Sequence, residues 1–249
     1  MIKLKSAEEI KLIRDAAQVA VEVLMRLREK TQPGITTNEL DQLAEKLFKQ
    51  SGAVSAFKGY RGYPANICTS VNEEIVHGIP GKRKLLDGDI ISLDVGAKLN
   101  GYFGDVASTF AVGKTTPAME KLLNCAQKAL AAGIAQARAG NRLLDISNAV
   151  QSYVEAQGYS VVRKFVGHGI GTQMHEEPEI PNFGEPGLGP ELKAGMVLAI
   201  EPMVNEGTHE VIILKDKWTA VTKDSRLSAH FEHTVCITEA GVEILTPWE

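Results

Sequence analysis

The order of apolar and polar positions near the N-terminus predicts an amphipathic helix. Apolar residues recur at steps of three and four between Ile10 and Leu27, the spacing that aligns them on one helix face. Ser6 precedes this run and Glu9 follows Ser6 by three residues, which is the pattern of a capping box. We therefore predict that the first helix begins just after Ser6 and buries one face.

A second helical pattern begins at Thr36, where Glu39 repeats the capping pair and Gly52 marks the end. A third helical run starts at Pro117, a residue that is favoured in the first turn of a helix. After it, the pattern around the second helix recurs. The matched positions are Gly34 with Gly140, Gly52 with Gly158, and Leu40, Leu43, Ala44, Leu47 and Phe48 with Ile146, Ala149, Val150, Tyr153 and Val154.

Alternating apolar and polar residues with turn signals predict strands in the rest of the chain. The segments are 89–113, 196–207 and 230–245. Because no glycine-rich or serine-rich linker separates them, we expect one α+β domain over residues 1–249, with antiparallel sheets and helices on the outside. The single-period repeat predicts that this domain consists of two pseudo-symmetric halves, about 1–113 and 114–249.

Composition narrows the class of protein. With 44% hydrophobic and 23% charged residues, the chain is an ordinary globular protein and is neither disordered nor fibrous. A net charge of -4 argues against direct nucleic-acid binding. No apolar run predicts a signal peptide or a membrane span. The widely spaced Cys68, Cys125 and Cys236 suit a reducing compartment, so we predict a cytoplasmic protein.

The turn signal of Asn100 and Gly101 brings two aspartates together. A two-residue hairpin turn at this point places Asp94 opposite Ala107. Asp105 lies on the same face as Ala107, so the two aspartates become diagonal neighbours, with Cα atoms roughly 7 to 8 Å apart. Two carboxylates on an apolar hairpin require a cation between them if they are buried. The alternative is that both lie on a solvated face of the hairpin.

Two glutamates interrupt apolar strands in the same way. Glu201 stands in an apolar run and is followed by Pro202, which cannot donate to a sheet ladder. Glu232 shares a face with Thr234, whereas His233 points to the opposite face. A lone glutamate in a strand is more often a surface residue, but several such acids in one chain favour a shared site.

These acids, together with a histidine in a glycine-rich segment, form a candidate metal site. Its members are Asp94, Asp105, His168, Glu201 and Glu232. Four carboxylates and one imidazole suit two divalent ions, whereas a structural zinc site favours Cys and His. Two such ions can activate a water and polarise a carbonyl. The set therefore predicts metal-assisted hydrolysis of an amide.

With these five residues in place, the sequence closely resembles the type I methionine aminopeptidases of bacterial form over almost its whole length. The motifs that carry the resemblance are "GYRGYPANICTSVNEEIVHGIP", "DIISLDVG", "GYFGDVAST", "GHGIGTQMHEEP", "LAIEPM" and "SAHFEHTV". The resemblance implies the duplicated pita-bread fold and a dinuclear metal site. It implies Asp94 on one ion, His168 and Glu201 on the other, and Asp105 and Glu232 between both. The ions are cobalt, manganese, iron or zinc, and the sequence does not choose among them.

The resemblance also implies roles for the remaining site residues. Glu201 would act as the proton shuttle, His175 would steady the substrate carbonyl and the oxyanion, and His77 would contact the peptide backbone. The methionine pocket and substrate contacts would be formed by Phe57, Tyr60, Tyr63, Cys68, His77, His175 and Trp218. Met174 is aromatic in some relatives. His230 stands where many relatives have glutamine, and we interpret it as peripheral.

Glycines surround His168, and we expect them to let the backbone turn tightly enough to present both His168 and His175. We interpret His209 and His233 as surface or hydrogen-bonded histidines.

The function implied is removal of the initiator methionine from nascent chains whose second residue is small. We expect a monomer, with at most a weak ribosome contact and no membrane association. One alternative is an Xaa-Pro aminopeptidase or prolidase of the same fold, although these usually carry a large additional N-terminal domain. Another is a non-catalytic ribosome-binding protein of this fold, although such relatives lose metal ligands that are present here.

Overall fold

The computed structural model of the protein describes residues 2–248, and the predicted helices are present. They are α1 (Ala7–Lys30), α2 (Thr37–Ser51), α3 (Pro117–Gln136) and α4 (Leu143–Ala156). The capping boxes of Ser6 with Glu9 and of Thr36 with Glu39 are both formed. Gly52 ends α2 in the left-handed region at φ 72°. The local signals for these helices are therefore confirmed.

The strands are more numerous and shorter than the sequence pattern indicates. They are β1 (Val54–Ser55), β2 (Cys68–Val71), β3 (Glu74–Val76), β4 (Ile90–Leu99), β5 (Tyr102–Ala111), β6 (Ser160–Val161), β7 (Val166–Gly169), β8 (Glu176–Pro181), β9 (Val197–Ile200), β10 (Met203–Asn205), β11 (Val211–Ile213), β12 (Ala220–Thr222), β13 (Ser228–His230), β14 (Glu232–Thr238) and β15 (Gly241–Ile244). Many have only two to four residues, too few to show alternation in the sequence.

The strands between residues 2 and 248 form one large sheet and two small ones. The large sheet has nine strands in the order β1-β4-β5-β14-β9-β7-β8, with β15 paired to β14 and β2 paired to β4. The small sheets are β13-β10-β6 and β11-β12-β3. All paired strands are antiparallel. The predicted α+β class with antiparallel sheets is confirmed.

The hairpin of β4 and β5 has the predicted register. Leu99 pairs with Tyr102 across the turn, and Asp94 pairs with Ala107. Gly96 pairs with Asp105, so the two aspartates are diagonal neighbours. The two-residue turn thus places both carboxylates on one face of the hairpin.

Helix α1 packs closely on this hairpin at Gly104. A Cβ atom on Gly104 would lie 2.4 Å from the Cα and the N of Ala17, well inside van der Waals contact. A residue without a side chain is therefore required where the helix backbone meets β5. Helices α1 and α2 share a buried apolar cluster with β4, while α3 and α4 share another with β9. Both helix pairs cover the sheet from outside.

Both halves of the chain contain two helices followed by strands. Gly34 and Gly140 have φ of 96° and 92°, and Gly52 and Gly158 have φ of 72° and 81°, so the matched glycines share a conformation. On this basis we propose that residues 1–249 form a single domain of two related halves. No helix in residues 2–248 is long and apolar enough to cross a membrane.

Candidate functional site

The five predicted ligands lie on neighbouring strands of the large sheet. In sheet order, β4 carries Asp94, β5 carries Asp105, β14 begins with Glu232, β9 is followed directly by Glu201, and β7 carries His168. Within this order Ala107 pairs with both Asp94 and Glu232. The structure therefore brings all five side chains to one place in the sheet, although they are distant in the sequence.

Local features position two of the carboxylates. The hydroxyl of Thr234 donates to the carbonyl of Asp105 at 2.8 Å and lies 3.2 Å from the Asp105 amide, which joins β14 to β5 beside the site. Pro202 interrupts the sheet after Glu201, and the Asn182 side chain donates to the Glu201 carbonyl at 3.3 Å. Glu201 lies at this interruption and is half-buried.

His168 is oriented as a metal ligand would be. Its Nδ1 lies 2.9 Å from the carbonyl oxygen of Gly169, so the proton belongs on Nδ1 and the Nε2 lone pair is free. The Nε2 atom lies 3.5 Å from Glu201 Oε1 and 3.8 Å from Asp105 Oδ2. Burial lowers the pKa of His168 to about 4, which keeps the imidazole neutral at physiological pH.

The glycines beside His168 serve close strand packing, and the predicted tight turn is wrong for this segment. Gly167 and Gly169 lie within strand β7. A Cβ on Gly167 would lie 2.4 Å from the Ala199 carbonyl oxygen, and one on Gly169 would lie 2.2 Å from the Glu177 carbonyl oxygen. Backbone of the neighbouring strands β9 and β8 thus approaches both edges of β7, and only glycine fits.

The electrostatics of the site favour a positive charge among the carboxylates. Burial raises the pKa of Asp94 to about 7. Burial and repulsion between the carboxylates raise the pKa values of Asp105, Glu201 and Glu232 well above their ordinary range. Among the described residues, Asp94 Oδ1 and Glu232 Oε1 are buried without a hydrogen-bond partner. Buried oxygens of this kind fit a divalent cation, whose charge would favour all four ionised forms.

His230 belongs to this cluster, so the interpretation of His230 as peripheral is wrong. The side chain is only 2% exposed, and its Nε2 lies 3.7 Å from Glu201 Oε2 and 4.0 Å from Glu232 Oε2. Two groups of ligand atoms are close enough to share an ion, and both contain Glu232. One is completed by Asp105 and His168, the other by Glu201 and His230.

A cavity of about 130 Å³ opens above the carboxylates. Its lining comprises the five predicted ligands together with Phe57, Tyr60, Arg61, Tyr63, Cys68, His77, Met174, His175 and Trp218. The volume is below that of a pocket for a drug-sized molecule, so it suits one side chain. All the residues of the predicted methionine pocket are therefore in the wall, and so is Met174.

Aromatic contacts hold that wall in place. The rings of Tyr63 and Trp218 meet edge to face with centroids 5.1 Å apart, and those of Phe57 and Tyr63 do so at 6.5 Å. The Tyr63 hydroxyl lies 3.0 Å from the Gly78 carbonyl oxygen. Such packing leaves little freedom to the pocket side chains.

His175 and His77 line the cavity. The Tyr60 hydroxyl lies 2.8 Å from His175 Nδ1. Desolvation, with repulsion from the neighbouring His168 and Arg61, lowers the pKa of His175 to about 3. Burial lowers the pKa of His77 to about 4, and its backbone has φ 61°. A positive φ is uncommon for a residue with a side chain and is often found at functional sites.

An ion pair fixes the loop that carries His175. The Nζ of Lys5 lies 2.9 Å from Glu176 Oε2, and both side chains are at most 10% exposed. The other oxygen of Glu176 accepts the Gln173 amide at 3.1 Å. The segment before α1 therefore supports the loop that carries His175.

The sequence analysis did not predict Arg61 at the site and placed His230 outside it. The Arg61 guanidinium lies 5.3 Å from the centre of the Tyr60 ring. Its backbone has φ 49°, a conformation that an arginine in the sequence does not predict. For His230 a signal was available, because residues two apart in an extended segment share a face, and His230 is two residues from Glu232.

Comparisons with known proteins agree with this geometry. A model of metallopeptidase family M24 matches residues 11–239. The chain is 54% identical over 246 residues to methionine aminopeptidase of Clostridium perfringens (strain 13 / Type A), with 99% of each protein covered. The solved structure of methionine aminopeptidase from Rickettsia prowazekii matches with a TM-score of 0.98 at 40% identity, covering 99% of this chain and 100% of that one.

Prolidase from Pyrococcus furiosus is a more distant match. Its TM-score is 0.80 at 25% identity, and the match covers 99% of this chain but 66% of that one. Together, these matches and the site define a metal-dependent peptidase with the pita-bread fold. More narrowly, the chain belongs to metallopeptidase family M24, on its methionine aminopeptidase branch.

Proposed function

We propose that this protein is an aminopeptidase that removes the N-terminal methionine of newly made polypeptides when the second residue is small. The observation that carries the proposal is a side-chain-sized, aromatic-lined cavity that ends on four buried or half-buried carboxylates and His168. A methionine thioether makes favourable contacts with aromatic rings. A cavity for one side chain beside a hydrolytic centre suits an exopeptidase.

Membership in family M24 implies the use of a divalent metal, and the site residues fit such ions. We propose two ions, held by Asp94, Asp105, His168, Glu201 and Glu232. When bound, they would supply Lewis acidity toward the scissile carbonyl and lower the pKa of the attacking water. The ligand set accepts cobalt, manganese, iron or zinc.

Proton transfer is assigned to residues of the chain. Glu201 is half-buried and lines the cavity, so we propose that it accepts the proton of water and returns it to the departing amine. Its place beside both the cavity and the proposed ligands suits a carboxylate that carries this proton from one to the other.

We propose that His175 stabilises charge that forms in the transition state. A Tyr60 hydroxyl that donates to Nδ1 leaves the proton on Nε2, where it can be donated to the oxygen of the scissile carbonyl. His77, in the wall of the same cavity, would bind the peptide backbone. Phe57, Tyr60, Tyr63, Cys68 and Trp218 would surround the methionine side chain.

The alternatives are less well supported. An Xaa-Pro peptidase would resemble the prolidases more than the methionine aminopeptidases, whereas the identities are 25% and 54%. A non-catalytic ribosome-binding protein would not need a complete set of buried carboxylates. We propose a cytoplasmic monomer that acts on nascent chains, with at most weak ribosome contact because the net charge is -4.

The direct test is release of free methionine from Met-Ala-Ser. Chelator-treated protein should be inactive, and added cobalt or manganese should restore cleavage, while Ala-Pro-Ala should remain intact. Cleavage of only the proline peptide would assign the protein to the Xaa-Pro group. No cleavage of either peptide with any divalent metal would favour the binding-only alternative.

A variant pair tests the metal-ligand assignment. Asp105→Asn should abolish turnover and weaken metal binding without unfolding the protein, because the amide keeps the shape but loses the charge. Asp224→Asn is the matched control, since Asp224 is an exposed loop carboxylate. Normal turnover by Asp105→Asn would remove Asp105 from the ligand set.

A further inference from the structure

His230 has a buried nitrogen with no partner in the described part of the chain. Its Nε2 makes no hydrogen bond and is inaccessible to solvent. Buried polar atoms in proteins are nearly always hydrogen-bonded, so a buried nitrogen without a partner needs an explanation. The nearest charged groups are Glu201 and Glu232, which belong to the proposed metal centre.

Backbone contacts on both sides fix the position of His230 beside the site. The His230 amide donates to the Thr109 hydroxyl at 2.9 Å, and that hydroxyl donates to the His230 carbonyl at 2.8 Å, tying β13 to β5. On the other side, His230 pairs with Met203 of β10. Two strands therefore hold the residue at the point where Glu201 leaves β9.

The distances match a shared cation better than a direct hydrogen bond. An N–H···O hydrogen bond spans about 2.7 to 3.2 Å, whereas His230 Nε2 lies 3.7 Å from Glu201 Oε2 and 4.0 Å from Glu232 Oε2. Two ligand atoms that are each about 2.1 Å from one ion can be separated by up to about 4.2 Å. Both distances fall within that limit.

The distances of His230 can be compared with those of His168, which is already a proposed ligand. Its Nε2 lies 3.5 and 3.8 Å from oxygens of Glu201 and Asp105. The two imidazoles thus face opposite oxygens of Glu201, Oε1 toward His168 and Oε2 toward His230. A residue that resembles a proposed ligand in burial, distances and free nitrogen is itself a candidate ligand.

We propose that His230 is an additional ligand of the metal centre, so that a second imidazole binds the ion shared by Glu201 and Glu232. This inference rests on the proposed function only in requiring that the carboxylate cluster binds divalent metal. Imidazole suits cobalt, iron and zinc more than manganese, which prefers oxygen. The extra nitrogen should therefore shift the metal preference of this protein toward cobalt and zinc.

The experiment compares the unsubstituted protein with His230→Gln and the matched control His233→Gln. His233 is three residues away, but its ring lies 3.0 Å from the Thr246 hydroxyl through Nδ1 and is outside the carboxylate cluster. Chelator-treated proteins are titrated with Co²⁺ and with Mn²⁺ by calorimetry, and the Co²⁺ forms are examined by visible and X-ray absorption.

His230→Gln should weaken Co²⁺ binding at one site by about tenfold or more, weaken Mn²⁺ binding less, and change the visible Co²⁺ band. His233→Gln should change none of these. X-ray absorption, summed over the Co²⁺ ions bound to one chain, should count two imidazole nitrogens in the unsubstituted protein and one in His230→Gln. The count on the unsubstituted protein alone tests whether a second imidazole binds the metal, even if the variant does not fold.

Unchanged Co²⁺ affinity and spectrum in a folded His230→Gln would overturn the inference, as would a single imidazole in the unsubstituted protein. In either case Co²⁺-dependent release of methionine would still stand, so the proposed function would survive. Absence of any Co²⁺ binding by the unsubstituted protein would overturn both.

Discussion

Removal of metal should make the protein less stable as the pH rises above neutrality. Burial and mutual repulsion raise the pKa values of Asp105, Glu201 and Glu232 well above their ordinary range in the metal-free protein. In the unfolded chain the same carboxyls are ionised above about pH 5. Folded, metal-free protein therefore keeps protons that the unfolded chain has lost.

The sign follows from proton linkage. A carboxyl whose pKa is raised by folding favours the folded state at low pH, and this contribution is lost as the pH rises toward its folded pKa. Each retained proton lowers the free energy of unfolding by about 1.4 kcal/mol per pH unit. Retention by one carboxyl gives this slope, and retention by three gives about 4 kcal/mol per pH unit.

The window from about pH 7.5 to 8.5 isolates this effect. Burial lowers the pKa values of His168 and His230 to about 4 and about 3, so both are almost entirely neutral there in the folded and the unfolded chain. Burial raises the pKa of Cys68, which adds a slope of the same sign, but this contribution is common to metal-free and metal-loaded protein. The difference between the two forms removes it.

Urea unfolding followed by tryptophan fluorescence measures the free energy of unfolding at each pH. The metal-free protein should lose stability across the window, and the gap to the metal-loaded form should widen by about 1.4 kcal/mol per pH unit for each carboxyl that keeps its proton there. Asp105→Asn should reduce the slope, and Asp224→Asn should not. A gap that is constant or narrows with pH would refute the account of the buried carboxyls.

Three further predictions concern single residues. His175→Ala should lower kcat for Met-Ala-Ser by about 10²–10³, while a Co²⁺ titration shows unchanged binding; weaker binding would make His175 a ligand. Tyr60→Phe should lower kcat by about tenfold through loss of the hydrogen bond to His175, and an unchanged kcat would show that another group fixes the tautomer. Gly104→Ala should destabilise the protein by about 3 kcal/mol or more, because its Cβ would meet the Ala17 backbone. Urea unfolding checks this, and a loss below about 1 kcal/mol would show that α1 can move away.

Elements specified by residues close in sequence could be predicted from the sequence. The capping box at Ser6 starts α1, and the turn at Asn100 and Gly101 sets the register that places Asp94 opposite Ala107. Each depends on contacts within a few residues. The segment 196–207, predicted as one strand, is instead divided at Glu201 and Pro202 into β9 and β10.

Short strands and their neighbours could not be predicted in this way. Strand β7 has four residues, two of them glycine, so it shows no alternation and only one β-branched residue, Val166. Its glycines are explained by the carbonyl groups of Ala199 and Glu177 on either side, and these belong to other strands. The same residues, considered alone, are typical of a turn.

The sequence by itself determined the helices, the central hairpin and the types of residue available for chemistry, because local hydrogen bonding and periodicity specify them. Only the tertiary structure decided which side chains meet. His230 illustrates the difference: its face relative to Glu232 follows from strand geometry, but its approach to Glu201 depends on β13 pairing with β10. Contacts between distant segments arise from sheet pairing and burial, which no short stretch of sequence encodes.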